Sequence, residues 1–327
     1  MKVLVTGGSG FLGKEIISLL LKENYQVLAI SRSAVAFDHP NFYFQSMDLS
    51  SCSEDDLLAL DFQAVIHTAA KAGIWGSYQD YKKINTHATE QLLKVSAQKQ
   101  VKAFVYTSTP SVVFGQNAIE NGDESMSYPQ KFLTHYAQTK MLAEKAVLRE
   151  KRICCVSLRP HLIWGQGDPH ILPRLLAKAK AGRLPQIGNA LNKVDITHVK
   201  TAAQAHLQCL QKICSHPDSL HGKAYFIGQE RPVLLWPFIK DLLATQGIDY
   251  QPKRQIGTSL AYALGFLFEC IYFFLPRQWE PPMTRFAALQ LGTSHYFSHQ
   301  QAKDDFDFKP ALTIEEGLKE LRAQKCQ

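Results

Sequence analysis

The run KVLVT (residues 2–6) passes directly into a turn carrying Gly7, Gly8, Gly10 and Gly13, and from there into an amphipathic helical pattern. This order constrains the fold more than any other feature of the chain. Glycine lets the backbone turn tightly and lets amide N–H groups approach a pyrophosphate with no Cβ in the way. The helix N-terminus behind the turn aims a positive dipole end at the same phosphates. A bare G-x-G-x-x-G is also compatible with a ligand-free turn, but the strand before it and the helix after it favour dinucleotide binding. Gly7, Gly10, Phe11, Leu12 and Gly13 are the cofactor-cradle candidates.

Short β-branched runs then alternate with helical patterns. Strands are expected at 2–6, 26–31, 42–47, 64–69, 103–108 and 154–159, with GKEIISLLLKEN, INTHATEQLLKVSAQ and YAQTKMLAEKAVLRE as helical stretches between them. Such alternation builds a parallel sheet covered on both faces, with right-handed crossovers. The expected fold is α/β: a Rossmann-type doubly wound parallel sheet over residues 1–160. Past about residue 160 Gly and Pro become frequent (IWGQGDPHILP, AGRLPQIGNA) and the alternation loosens. Residues 161–327 are expected to form mainly a smaller substrate-binding region, with some segments returning to the sheet.

Composition excludes several classes. With 46% hydrophobic and 20% charged residues the chain is neither disordered nor fibrous. Its net charge of +7 is scattered without a basic run, so no nucleic-acid partner is expected. Seven cysteines, none spaced C-x-x-C, with Cys154 and Cys155 adjacent in an apolar run, argue for reduced thiols in a cytoplasm rather than disulfides or zinc. The opening MKVLVTGG lacks the longer apolar core and cleavage site of a signal peptide.

At the end of the second strand stand Ser31, Arg32 and Ser33, with no acid until Asp38. An acid there would meet a ribose 2′-hydroxyl, whereas a guanidinium flanked by two hydroxyls suits a 2′-phosphate. NADP(H) is therefore favoured over NAD(H), the alternative being an ordinary surface arginine.

Tyr136 and Lys140 stand one helical turn apart in HYAQTKMLAEKAV and share a face. A free phenol has a pKa of ~10, and a nearby ammonium is expected to lower it towards neutrality. AFVYTSTPSVVFG (103–115) supplies an apolar strand ending in hydroxyls, on the sheet edge where ligands bind.

TGGSGFLG, HTAA (67–70), YKKINTHATEQLL, YTSTPSVVFG, Tyr136-x-x-x-Lys140 and LRPHLIWGQGD (158–168) together resemble the successive motifs of extended short-chain dehydrogenase/reductases. The nearest branch is the 3β-hydroxysteroid dehydrogenase-like one, and VDITHVKTAAQAHL, AYFIGQERPVLLWPFI and LTIEEGL carry the likeness almost to the end. Within it, AAKAGIWGSYQDY, LRPHLIWGQGDPHILPRLL and EPPMTRF are similar to reductases of 2-alkyl-3-oxoalkanoates. The resemblance implies ketone–alcohol interconversion with a nicotinamide. It makes Tyr136 the acid/base, Lys140 its electrostatic partner and ribose contact, and Thr109 the hydroxyl donor where the family usually has Ser, with Ser108 a substitute. It also implies that Asp48 and Leu49 flank the adenine, that Ala69 and Ala70 line the nicotinamide ribose, that Asn85 is a structural hydrogen-bonding residue, and that Pro160 through Ile163 lie against the nicotinamide. Pro110 is unusual beside Thr109.

On the substrate side, Lys71, Trp75 and Tyr78 follow the fourth strand, and His161 sits in a Gly/Pro-rich loop. Lys71 or His161 is expected to recognise a carboxylate, with Trp75 equally readable as a packing residue. Asp168 and His170 near His161 have no metal-ligand spacing, so no metal is expected. The apolar stretch 259–275, interrupted by Glu269, falls short of the ~20 residues that span a bilayer. It is read as a buried helix or lid over a hydrophobic substrate, the alternative being a peripheral membrane contact. A homodimer is an open expectation. Rival readings are a steroid dehydrogenase/isomerase, an NAD-dependent nucleotide-sugar epimerase or dehydratase, and a dinucleotide sensor. Pro110-Ser111 stands where a dehydratase carries acids, and the Tyr/Lys pair argues against a sensor.

Overall fold

The computed structural model describes residues 1–276 and 279–325; positions 277, 278, 326 and 327 of the expected 161–327 region lie outside the described residues. The doubly wound parallel sheet is present. Its seven strands run in the order Ala224–Ile227, Cys155–Pro160, Ala103–Thr107, Ala64–His67, Lys2–Thr6, Gln26–Ser31 and Phe42–Ser46. Every pairing is parallel. The central strands are nearly continuous apolar runs because helices cover both faces. One face packs the helices Phe11–Lys22 and Val199–Ser215 through Ile16, Leu20, Leu210 and Ile213. The other packs Ala88–Gln98 and His135–Arg149 through Leu92, Val95, Ala143 and Val147. Each such large aliphatic side chain contributes about 1.5–3 kcal/mol by leaving water.

Lys2–Thr6 pairs with Gln26–Ser31 on one side and Ala64–His67 on the other, so chain order reverses there. In open α/β sheets ligands bind at the carboxyl ends of the strands at such a reversal. The strand Ala224–Ile227 joins this sheet from beyond residue 160. Much of the remaining chain forms a separate core around Trp164, Ile187, Trp236 and Leu243 and three strands of a four-stranded sheet, whose fourth strand is Ile119–Gly122.

The helix Thr258–Phe273 overturns the expectation of a buried segment: only Ala261 and Gly265 are buried along it. Phe266 is 52% exposed, Phe273 74% and Phe274 85%. One narrow strip makes the contact, against the start of Arg285–Gly292, where a Cβ on Gly265 would come within 2.6 Å of the Thr284 carbonyl carbon. Beside that line Tyr262 packs part-way against two cores and the Arg285 guanidinium lies over the Phe266 ring, while Leu260, Leu267, Ile271 and Phe273 stay exposed.

Candidate active site

The glycine turn has the shape its sequence requires. Gly7 has φ +69°, and a Cβ there would stand 2.9 Å from the Ala69 amide nitrogen. A Cβ on Gly13 would collide with the Gly7 carbonyl oxygen. The Gly10 amide donates to that oxygen at 2.9 Å. The helix Phe11–Lys22 begins at Gly10 with no side-chain cap among the described residues. Backbone stripped of side chains ahead of an uncapped helix N-terminus fits a dinucleotide pyrophosphate.

Around it, the Asp48 carboxylate accepts from the Ser50 amide and hydroxyl (2.9 and 2.8 Å), which holds its pKa below the usual range. Leu49 is buried. Arg32 is exposed and lies within electrostatic reach of Asp48. The Ser31 hydroxyl donates to the Ser33 carbonyl at 2.8 Å. The Ala69 amide donates to the Thr6 hydroxyl at 3.1 Å, Ala70 is exposed, Pro160 is buried and Ile163 is half-buried.

The helix His135–Arg149 starts at Thr134, whose hydroxyl accepts from the Ala137 amide at 3.2 Å. This cap places Tyr136 in the first turn, half-buried and within side-chain hydrogen-bonding reach of Thr109. Thr109 Oγ1 also accepts from the Ser111 amide and pairs with the Ser111 hydroxyl, both at 3.2 Å, and Pro110 opens the 3-10 turn Pro110–Val112. Burial pushes the Tyr136 phenol up to about 12, and the Thr109 bond opposes that rise. Lys140 is also buried and is pushed down to about 7, opposed by Glu144. The expected acidic phenol is therefore not found here: a water-poor site disfavours both the phenolate and the ammonium.

Lys140 Nζ donates to the Thr107 carbonyl at 2.6 Å and lies 4.1 Å from the Tyr106 ring centroid. One turn on, Glu144 is fully buried; it accepts from Arg159 Nη2 (2.7 Å) and Nε (3.0 Å), from Tyr128 (2.8 Å) and from Ser157 (2.8 Å). Removing one member of such a pair costs about 3–5 kcal/mol. Glu144 was absent from the sequence candidates, although its spacing from Lys140 puts it on the same helix face.

A second polar chain ties the glycine turn to this helix. The Thr89 hydroxyl donates to the Asn85 carbonyl, so the neutral His67 ring must donate from Nε2 to Thr89 (2.8 Å) and accept at Nδ1 from Thr6 (2.6 Å). Burial holds His67 at about 3. Asn85 sits in a π-helical turn, Lys82–His87. Its amide accepts from the Lys71 amide and donates to the Lys71 carbonyl and to Thr139.

The substrate-side candidates separate. Tyr78 stacks edge-on with His135 and lines an outer hollow with Lys82 and Arg149, so it does not join Tyr136. Tyr81, one turn further and missed in the sequence, is buried with its ring centroid 6.4 Å from that of Tyr136. Its hydroxyl donates to the carbonyl of half-buried Trp75 at 3.1 Å. Lys71 is paired with Asp80 at 3.2 Å over the Tyr81 ring. Burial, with His295 beside it, holds the His161 pKa well below the usual value and disfavours its charged form. Its partner His295 bonds the Gln290 carbonyl through Nε2, so His161 Nε2–H donates to His295 Nδ1 at 2.7 Å. Asp168 is a helix cap, accepting from the His170, Ile171 and Leu172 amides. No metal-binding cluster occurs among the described residues.

Residues 4–257 match the 3-beta hydroxysteroid dehydrogenase/isomerase family. The chain is 37% identical to a 2-alkyl-3-oxoalkanoate reductase of Stenotrophomonas maltophilia, covering all of both chains. It is 32% identical to the mouse (Mus musculus) sterol-4-alpha-carboxylate 3-dehydrogenase, decarboxylating, over 97% of this chain and 89% of that one. Among solved structures, UDP-glucuronic acid 4-epimerase from Bacillus cereus, in complex with UDP-glucuronic acid and NAD, superposes with a TM-score of 0.76. It is 20% identical, with 100% of this chain and 99% of the other covered, a likeness of fold.

Proposed function

Because the chain belongs to the 3-beta hydroxysteroid dehydrogenase/isomerase family and is a nicotinamide-dependent oxidoreductase, we propose that it uses NADPH to reduce the ketone of a hydrophobic 3-oxo acid bearing a 2-alkyl chain. The observation that carries this reading is the half-buried Tyr136 phenol, within side-chain hydrogen-bonding reach of Thr109 at the carboxyl edge of the sheet.

A reduced nicotinamide bound in this cleft supplies the hydride. The chain supplies position and the proton. Gly7, Gly10, Phe11, Leu12 and Gly13 hold the pyrophosphate, with Asp48 and Leu49 at the adenine. Ala69, Ala70, Pro160 and Ile163 form the nicotinamide end. Arg32 receives a 2′-phosphate, which is why NADP(H) is proposed over NAD(H). Tyr136 gives its proton to the substrate oxygen, and Thr109 holds that oxygen as charge develops. Lys140 stands behind as the cation that steadies the phenolate left once the proton has gone; a lysine near 7 is readily charged as that anion forms beside it.

The names of the two relatives share one piece of chemistry: a carboxylate one carbon away from the carbon that carries the reacting oxygen. A 3-oxo acid matches that pattern. Lys71, half-exposed in its pair with Asp80, is proposed to meet the substrate carboxylate, and Trp75 to pack beside it; a neutral His161 offers only a ring-nitrogen lone pair.

NADPH oxidation should be followed with long-chain 2-alkyl-3-oxo acids, 3-oxosteroids and UDP-sugars. The reading requires the acids to be reduced to 3-hydroxy acids in step with NADPH loss. Turnover of a UDP-sugar with no net NADPH consumption would replace it with epimerisation.

A further inference from the structure

The helix Thr258–Phe273 exposes Leu260, Phe266, Leu267, Ile271 and Phe273, and Phe274 and Trp279 follow, all at least 47% exposed. At 1.5 Å per residue it is about 24 Å long, and no helix among the described residues is long and apolar enough to cross a membrane. An apolar rod of this kind meets lipid lying flat in the interface, where exposed tryptophan suits the headgroup level.

Two stretches of chain beside it are basic. Between Asp168 and Asp195 the chain holds Arg174, Lys178, Lys180, Arg183 and Lys193 and no acid; between Asp249 and Glu269 it holds Lys253 and Arg254 and no acid. The fold brings these two stretches together. Gln186–Ile187 pairs with Gln255–Ile256, the Gln186 amide donates to the Arg254 carbonyl at 2.9 Å, and Lys253 Nζ lies 3.6 Å from where a Gly182 Cβ would stand. The acids at the other end are already engaged, Glu280 with Arg174 (3.3 Å) and Glu269 with Arg285 (2.6 Å).

We infer that this lip, the apolar face of Thr258–Phe273 with the basic rim Lys178, Lys180, Arg183, Lys253 and Arg254, docks on the surface of an anionic lipid bilayer. Aromatic side chains enter the acyl boundary while the rim meets headgroup phosphates. A second copy of the chain is the poorer occupant: a two-fold contact places identical patches against each other, so the rim would face its own positive charge. Glu280 and Arg174, at the end of the lip, lie within electrostatic reach of Tyr81, whose ring centroid is 6.4 Å from that of Tyr136. A hydrophobic substrate dissolved in the bilayer would reach the cleft without crossing water. The docking itself does not depend on which ketone is reduced.

The test is co-sedimentation of the full chain with vesicles of mixed phosphatidylglycerol and phosphatidylcholine, against pure phosphatidylcholine, at low and high salt. Binding is expected to the anionic vesicles and to weaken with salt. Phe273→Ser with Phe274→Ser should weaken it by about tenfold or more per ring. Lys180→Glu and Arg183→Glu should each weaken it by roughly fivefold or more. Unchanged thermal midpoints and NADPH affinity would show these variants folded. No binding to anionic vesicles overturns the inference, as does binding that folded variants retain. So does a dimer, seen by sedimentation velocity without lipid, that the Phe273 and Phe274 substitutions dissociate.

Discussion

The ammonium of Lys140 is anchored to the backbone of Thr107, its Nζ donating to that carbonyl at 2.6 Å. Thr107 ends the strand whose continuation carries Thr109, and Thr109 lies within side-chain hydrogen-bonding reach of Tyr136, one turn before Lys140. Lysine, tyrosine and threonine are thus held in register by one strand end and one helix face.

That register makes Thr109 sensitive to chemistry rather than size. Thr109→Ser keeps the hydroxyl and should hold kcat within a few-fold. Thr109→Val should lower it by about a hundredfold or more, as for loss of one donor to a developing oxyanion. Equal activity in the two variants would remove Thr109 from the mechanism.

Arg32 is the group that would distinguish the two nicotinamides. Losing a charge-assisted contact to a 2′-phosphate costs roughly tenfold to a hundredfold in affinity. Arg32→Ala should weaken NADPH by that amount in a fluorescence titration and leave NADH nearly unchanged. Parallel changes for both cofactors would count against a 2′-phosphate at this position.

Acid should destabilise the fold through its buried histidines. Burial holds His67 at about 3 and His198, His206 and His295 at about 4, all below the ordinary 6.5. Between about pH 6.5 and 4 the unfolded chain therefore binds protons that the folded chain refuses, and stability falls as pH falls through that window. The melting midpoint should drop steadily over it, and less steeply in His206→Asn. A midpoint flat from pH 6.5 to 4 would contradict the neutral, buried assignment.

The sheet was legible because its signals are local: KVLVT followed by Gly7, and runs such as QVLAIS, carry strand and turn within a few residues. Tyr136 and Lys140 were legible for the same reason. What escaped depends on distant partners. The sequence marks His161 as a candidate cation, but its neutral state rests on His295, which stands 134 residues away. Tyr78 and Tyr81 read alike until the helix shows which faces Tyr136. Apolar content suggested that 259–275 is buried; burial needs a partner surface, and along this helix only Ala261 and Gly265 are buried, with Tyr262 packed part-way against two cores. Glu144 could have been drawn from its spacing to Lys140, whereas its tie to Arg159 on the strand Cys155–Pro160 could not.

The most direct test is single-turnover reduction of a long-chain 2-alkyl-3-oxo acid by NADPH in the wild type and in Tyr136→Phe, with NADPH binding measured separately. Wild type should convert NADPH and ketone one for one, and the variant should bind NADPH normally while its reduction rate falls by about a hundredfold to ten-thousandfold. A Tyr136→Phe enzyme that reduces the ketone at the wild-type rate would contradict the account at its centre.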